Sequence, residues 1–232
     1  MNDHDTSLDI SGRDGPLSQR VYGVLRERIL SLSLAPGAVL RKSVLCAQLG
    51  VSRSPVAEAL GKLSSEGLVD IIPQSGTRVS QLSLPQLMEE TFLREAVEVA
   101  AVRRVAEGRS DEQLTRLTRN LRFQGLLVED ADVQGFFEAD LEFHAMILAF
   151  TGFPKVTQVA EEMTLQLRRA RQLMLPEPGR PVAAVAEHQA ILEAIAAGDP
   201  DAAATAMAHH LRQLTQRIVP LEQAHPQYFR AT

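Results

Sequence analysis

The sequence predicts a mainly α chain in two parts, an N-terminal winged helix-turn-helix followed by an all-α six-helix bundle. Three observations predict it. Apolar residues recur at helical spacing over most of the chain, and β-like runs are confined to Leu68–Ile72 and Thr77–Gln81. The charge also changes sign where those runs end. Residues 16–82 carry eight Lys/Arg against four Asp/Glu, net +4, whereas residues 83–232 carry fifteen against twenty-one, net −6. A basic module joined to an acidic one is the asymmetry expected if only the first part meets phosphate.

The 232 residues suffice for one large or two modest domains. With 45% apolar and 23% charged residues, the composition is that of a soluble globular protein. There is no run of eighteen apolar residues and no basic-then-apolar leader, so neither a membrane span nor a secretory signal is expected. The lone Cys46 cannot form an internal disulfide, which fits a reducing cytoplasm, and it reads as a small buried residue of a short helix. Residues 1–15, polar and mixed in charge, read as a disordered arm.

In the first module, Leu17, Val21, Leu25 and Ile29 give an amphipathic helix that Ala35-Pro36-Gly37 breaks. Ser43 is placed to cap a short helix ended by Gly50, and Ser54 to cap the next, with Pro55 in its first turn. On that helix Val56, Leu60 and Leu63 share one face, leaving Arg53, Ala57, Gly61 and Lys62 outside. Pro73-Gln74-Ser75-Gly76 marks a hairpin between the β-like runs. Such a third helix enters a DNA major groove with its N-terminal residues at the base edges. Arg53 offers a fork of donors to guanine or phosphate, and Ser52 and Ser54 can add phosphate bonds. Arg41, Lys42, Gly76 and Thr77 complete the expected DNA contacts.

Pro36-Gly37-x-x-Leu40, Leu49-Gly50-Val51-Ser52-Arg53-Ser54-Pro55-Val56 with Glu58-Ala59-Leu60, and Pro73-x-Ser75-Gly76-Thr77-x-Val79 resemble the DNA-binding domain of GntR-type bacterial transcription regulators. Those proteins usually carry Arg where this chain has Ala57, often a further basic residue at Gly61, and Gly at Ser33.

In the second module, helices are expected near residues 85–107, 111–129, 133–150, 154–174, 182–197 and 200–219. The breaks between them include Gly108-Arg109-Ser110, Thr151-Gly152-Phe153-Pro154, Pro176-Glu177-Pro178-Gly179 and Gly198-Asp199-Pro200. Its boundaries are set at residues 83–222, with 223–232 as a tail. Asp140 and His144, four apart, share a face flanked by Phe136, Phe137, Ile147 and Leu148. His188 lies on a stripe with Val185, Leu192 and Ile195, and His210 with Met207, Leu214 and Ile218, whereas His209 points to water with Arg212, Gln213 and Gln216. Three imidazoles and a carboxylate brought into one bundle interior make a divalent-metal site, zinc first, with nickel or manganese as alternatives.

Asp140-x-x-Phe143-His144, Glu187-His188-x-x-Ile191-Leu192 and Ala206-Met207-x-x-His210-Leu211 are similar to the metal-binding pattern of the FCD effector domain. That domain follows the winged helix in the FadR-like branch of the GntR family, and six helices resemble its shorter, VanR-like variety. The resemblance implies that Arg94, in Leu93-Arg94-x-x-x-Glu98, lies near the effector pocket, and that an apolar face unused by the core makes a homodimer. Phe153 stands where the family often has Asn.

The reading that joins these parts is a cytoplasmic, ligand-responsive regulator and not an enzyme. It is a repressor that binds a palindromic operator in double-stranded DNA and takes a small organic acid as effector. Two alternatives stay open: a metal-dependent hydrolase with a DNA-targeting domain, with Glu187 or Glu142 as base, and a metal sensor with no organic effector.

Overall fold

The computed structural model describes residues 8–174 and 179–230. The chain divides into two compact units, Met1–Ser83 with His225–Thr232, and Leu84–Ala224.

The first unit contains α1 (Leu17–Leu30), α2 (Lys42–Leu49), α3 (Arg53–Ser65), β1 (Val69–Ile72) and β2 (Gly76–Val79). Val21, Leu25 and Ile29 of α1 and Val56, Leu60 and Leu63 of α3 are fully buried, each set repeating at three- or four-residue spacing on one helix face. Leu17, the first member of the expected stripe, is exposed. α2 ends on Gly50 in the left-handed region (φ 65°), a conformation that glycine adopts without a Cβ clash. Both α2 and α3 start earlier than their serines suggested, after Arg41 and Ser52, and neither has a side-chain cap. Pro55 does not mark the start of α3 because none of the first four N–H groups of a helix has an intrahelical partner. Cys46 is half-buried, its Sγ 3.6 Å from the Ser52 carbonyl.

β1 and β2 pair antiparallel, Val69 opposite Val79 and Ile72 opposite Gly76. Residues 38–40 run along the other side of β2, with Leu40 N–H donating to the Thr77 carbonyl at 2.8 Å and Val79 N–H to Ala38 at 2.9 Å. Beyond β2, Leu82 N–H donates to the Tyr228 carbonyl (2.9 Å) and Arg230 N–H to the Leu82 carbonyl (2.8 Å). Phe229, between them, is only 4% exposed. The stretch expected to be a tail therefore builds this unit. Of the expected disordered arm, residues 1–7 lie outside the described residues. Residues 8–15 depart from the expectation: Leu8 is buried and the Arg20 guanidinium donates to the Ile10 carbonyl.

The second unit is α4 (Leu84–Gly108), α5 (Asp111–Glu129), α6 (Val133–Phe150), α7 (Pro154–Met163), α8 (Leu165–Met174), α9 (Arg180–Ala197) and α10 (Pro200–Ala224). The helix expected over 154–174 is thus two helices. Thr164, between them, leaves helical geometry (φ −117°, ψ 16°), and its hydroxyl donates back to the Ala160 carbonyl. The buried Glu90 carboxylate accepts from Leu167 N–H at 2.8 Å, so a residue of α4 caps α8. α10 continues through Pro220 to Ala224, past the expected end at 219. The break expected at Pro176-Glu177-Pro178 lies outside the described residues. Ser110 and Gln113 form a reciprocal capping box that starts α5, and Asp132 caps α6 through Gly135 N–H. The core gathers Val102 and Val105, Leu117, Phe143 and Ile147, Ile191 and Ile195, and Met207. No helix among the described residues is long and apolar enough to cross a membrane.

Candidate metal centre and nucleic-acid interface

A polar cluster sits inside the second unit. Asp140 and His144 from α6, His188 from α9 and His210 from α10 are all buried, and each offers a ligand atom within 4.8 Å of the others. Their helices present them for the reason read from sequence: each occupies a position on an apolar stripe. His209, one residue from His210, is exposed on the opposite face.

Each imidazole is aimed by a partner on its Nδ1. His144 Nδ1 meets Glu98 Oε2 at 2.6 Å, His210 Nδ1 meets Glu187 Oε2 at 2.6 Å, and His188 Nδ1 meets Gln124 Oε1 at 2.8 Å. The orientation of Gln124 is set by its amide nitrogen, which donates to Asn120 Oδ1 at 2.7 Å. The Phe143 ring stacks on His188, with centroids 4.4 Å apart. Acceptors on every Nδ1 keep the proton there, so the three Nε2 lone pairs face inward. His144 Nε2 and His188 Nε2 lie 3.1 and 3.3 Å from His210 Nε2, and Asp140 Oδ1 is 3.7 Å from His188 Nε2. Three mutually facing lone pairs repel one another unless a cation lies among them. Nitrogens bound to one tetrahedral ion at about 2.0–2.1 Å stand roughly 3.3 Å apart, so the donor set fits a divalent metal.

The charge states agree. Burial pushes His188 well below the ordinary histidine range, with His210 adding to the effect. Burial also takes His210 down to about 4, against the opposing pull of Glu187. Burial alone would raise Asp140, but Arg171 and the imidazoles hold its carboxyl well below the usual carboxylate range. Glu98 is likewise depressed, with Arg94 and then His144 outweighing burial. Glu187 falls to about 2, because bonds from His210 and Arg180 outweigh its burial. Neutral imidazoles with an ionised carboxylate are the ligating forms.

Beside the cluster is a cavity of about 60 Å³ reached by Arg94, Arg171, Arg180 and Arg217, with Asp140 and His210 in its wall. Arg94 Nε donates to Glu98 at 2.6 Å, Arg180 grips Glu187 with two bonds, and Arg171 donates to Asp140 Oδ2. Sequence reasoning located the four candidate ligands and Arg94 but missed Gln124 and Arg171. Gln124 left a trace, a polar residue on the stripe of Leu117 and Leu121, while Arg171 left none.

In the first unit Arg53, Ser52 and Ser54 are exposed at the start of α3, as are Arg41, Lys42 and Gly76. Ser54 Oγ already donates to Glu58 at 2.9 Å. Thr77 departs from the expectation: it is 5% exposed, its side chain turned inward on the same side of β2 as Val79. Arg78, between them, points outward on the hairpin and was missed, although strand alternation identifies it. Ala57 and Gly61 are exposed on α3, so the positions that usually carry basic residues face outward without charge. Lys62 lies over the Tyr22 ring, 3.8 Å from its centroid.

Residues 17–79 match the family of bacterial regulatory proteins, gntR family, and residues 91–213 match the FCD domain. The chain is 30% identical over 214 residues to the HTH-type transcriptional repressor RspR of Escherichia coli (strain K12), covering 92% of this chain and 94% of that protein. It is 36% identical over 209 residues to an uncharacterized HTH-type transcriptional regulator in an unstable DNA locus of Streptomyces ambofaciens, covering 90% and 88%. Among solved structures, E. coli McbR/YncC is similar in fold, with a TM-score of 0.75 at 23% identity, 91% of this chain and 100% of that one covered. A GntR regulator from Rhodococcus sp. RHA1 gives 0.76 at 25% identity, covering 88% and 97%. An exposed basic helix start, a hairpin and a helical domain thus come together in a DNA-binding transcriptional regulator, and the chain belongs to the gntR family, in the branch that carries an FCD domain.

Proposed function

We propose that this regulator is a cytoplasmic homodimeric repressor whose second unit holds a divalent cation, zinc first, together with a small carboxylate effector. The observation that carries the reading is the convergence of three Nε2 lone pairs and the Asp140 carboxylate. The residues that would hold the ion are Asp140, His144, His188 and His210, and the ion would supply Lewis acidity toward a carboxylate oxygen. Arg94 reaches the adjoining cavity and adds positive charge there. Effector binding acts on DNA only through its differential affinity for two packings of the helices, and metal and effector affinities are then coupled.

Dimerisation fits the face of α4 and α10, where exposed Phe92 and half-buried Val99 border the small side chains of Ala96, Ala204 and Ala208. The charges on that face, Glu95 with Arg212 and Arg103 with Asp201, balance, so a second copy meets no like-charge field. A two-fold dimer pairs with a palindromic operator. The repressor named among the relatives supports that sign of regulation. Against the hydrolase alternative, Glu187 is held by His210 and Arg180, and Glu142 by Asn120, so neither carboxylate stands free as a base.

The test is a gel-shift titration on an operator selected from random duplexes. Arg53→Ala should weaken binding by about 1–3 kcal/mol if Arg53 makes a bidentate base contact. Metal-loaded protein should respond to small carboxylates and chelated protein should not. A carboxylate response that survives in His188→Ala would remove the cation from the mechanism.

A further inference from the structure

The returning segment brings to the hairpin a charge that the hairpin's own residues lack. Val39, Arg78 and Asp70 lie level with one another across three neighbouring stretches, since Val39 bridges to Arg78 and Arg78 stands opposite Asp70. Side chains level across a ladder share a face. Val39 and Arg78 are exposed, so this is the outward face, opposite to the one that buries Thr77 and Val79. Two residues beyond Val39 stands Arg41, extended (φ −83°, ψ 114°) and exposed, and the exposed Lys42 follows it.

One acid interrupts this basic face. Asp70 is the acidic residue of the hairpin, and Arg230 of the returning segment meets it, with Nη2 at 3.1 and 3.3 Å from the two carboxylate oxygens. The two side chains are 51% and 41% exposed, for Arg230 and Asp70, and an ion pair so open to water adds little to folding. The segment is held instead by the Arg230 N–H bond to the Leu82 carbonyl and by buried Phe229. Only Nη2 of the Arg230 guanidinium is engaged, and its Nε and Nη1 have no partner among the described residues. The Arg78 side chain has none there either. Arg78 and Arg230 against Asp70 leave one positive charge on this face, and Arg41 and Lys42 raise it to three. Unengaged guanidinium donors on an exposed basic face suit the phosphate oxygens of duplex DNA, which accept them whatever the base sequence.

We propose that Arg230 is a DNA-backbone contact, forming with Arg78 a phosphate-binding edge on the hairpin beside Arg41 and Lys42. The last stretch of the chain then adds affinity without adding choice of operator. The proposal rests on the first unit being the DNA-binding domain and is independent of the metal and effector reading.

The experiment is fluorescence-anisotropy titration of full-length protein over a range of salt, on a labelled random-sequence duplex and on a selected operator. Each phosphate contact contributes about 0.9 to the slope of log affinity against log salt. Arg230→Gln should flatten that slope by about this amount on both duplexes, and Arg230→Lys should keep it. Arg78→Gln should match Arg230→Gln, and the double variant should lose about twice as much. Asp70→Asn separates contact from charge cancellation, because in that background Arg230→Gln should still flatten the slope. An unchanged slope in Arg230→Gln overturns the contact. So does a loss that vanishes once Asp70 is replaced, which would leave Arg230 only masking the acid. A loss accompanied by faster amide exchange in β1 and β2, and shared by Arg230→Lys, also overturns it, since the side chain would then serve the fold. Arg53→Ala is the control: if it too leaves operator affinity unchanged, the assignment of the DNA-facing side fails as a whole, whereas a loss there with none in Arg230→Gln removes the new contact alone.

Discussion

Gln124 is a neutral residue in a cluster otherwise governed by charge. It fixes the ring of His188 without the electrostatic pull that Glu98 and Glu187 exert on theirs. Partners behind metal ligands typically contribute 10–100-fold to metal affinity. Gln124→Leu, similar in size but without the acceptor, should therefore weaken metal binding by about that factor in competition with a chromophoric chelator. Unchanged affinity would mean that stacking on Phe143 alone holds the ring. The adjacent histidines give a sharper contrast: His210→Ala should strip metal from the purified protein, while His209→Ala should retain it. At this scale the candidate ligands were legible because a polar residue on an apolar stripe stands out. Their anchors were less so, since a lone Gln on such a stripe has many explanations, and Arg171 reaches Asp140 only through tertiary packing. Thr77 shows the reverse error. Counting back two residues from the apolar Val79 puts it indoors.

Helices bounded by Gly or Pro were legible, and the α7–α8 break was not, because no Gly or Pro marks it. It comes from Glu90 on α4, whose carboxylate bonds to the first turn of α8. Burial raises Glu90 to about 7 from an ordinary 4.5, outweighing its bonds from Leu167 and Gln86. The folded state therefore holds a proton between pH 4.5 and 7 that the unfolded chain releases. Stability from this group is fully present below pH 4.5 and is lost as pH rises through 7, by up to about 3 kcal/mol. The buried His188 and His210 are shifted the other way, so their contribution falls as pH drops. Comparison with Glu90→Gln separates the two effects. The wild-type protein should lose melting temperature relative to the variant between pH 5 and 8, and parallel curves would show that Glu90 is ionised throughout the range.

At the scale of the molecule, a division near residue 83 was legible from the change of period and charge, but the return of the chain was not. A ten-residue stretch with no regular pattern looks like a tail. Only the pairing of Leu82 with Tyr228 and Arg230, and the burial of Phe229, show that it belongs to the first unit. Phe229→Ala should destabilise that unit by about 3–5 kcal/mol, as for other buried aromatic truncations. Amide exchange should speed up in β1 and β2 and stay unchanged around Phe143 and Ile147. Protection unaltered in the hairpin would show that the returning segment rests on the unit without supporting it.

The same return imposes an order on biosynthesis. During translation residues 17–79 leave the ribosome before the helical domain, yet the strand partner of Leu82 and the side chain that seals that corner emerge only after that domain has been made. The DNA-reading head is thus begun before the helical domain and completed after it. A nascent chain stalled anywhere in the second unit would carry an unsealed head, so a truncated regulator would bind its operator less stably than the finished protein does.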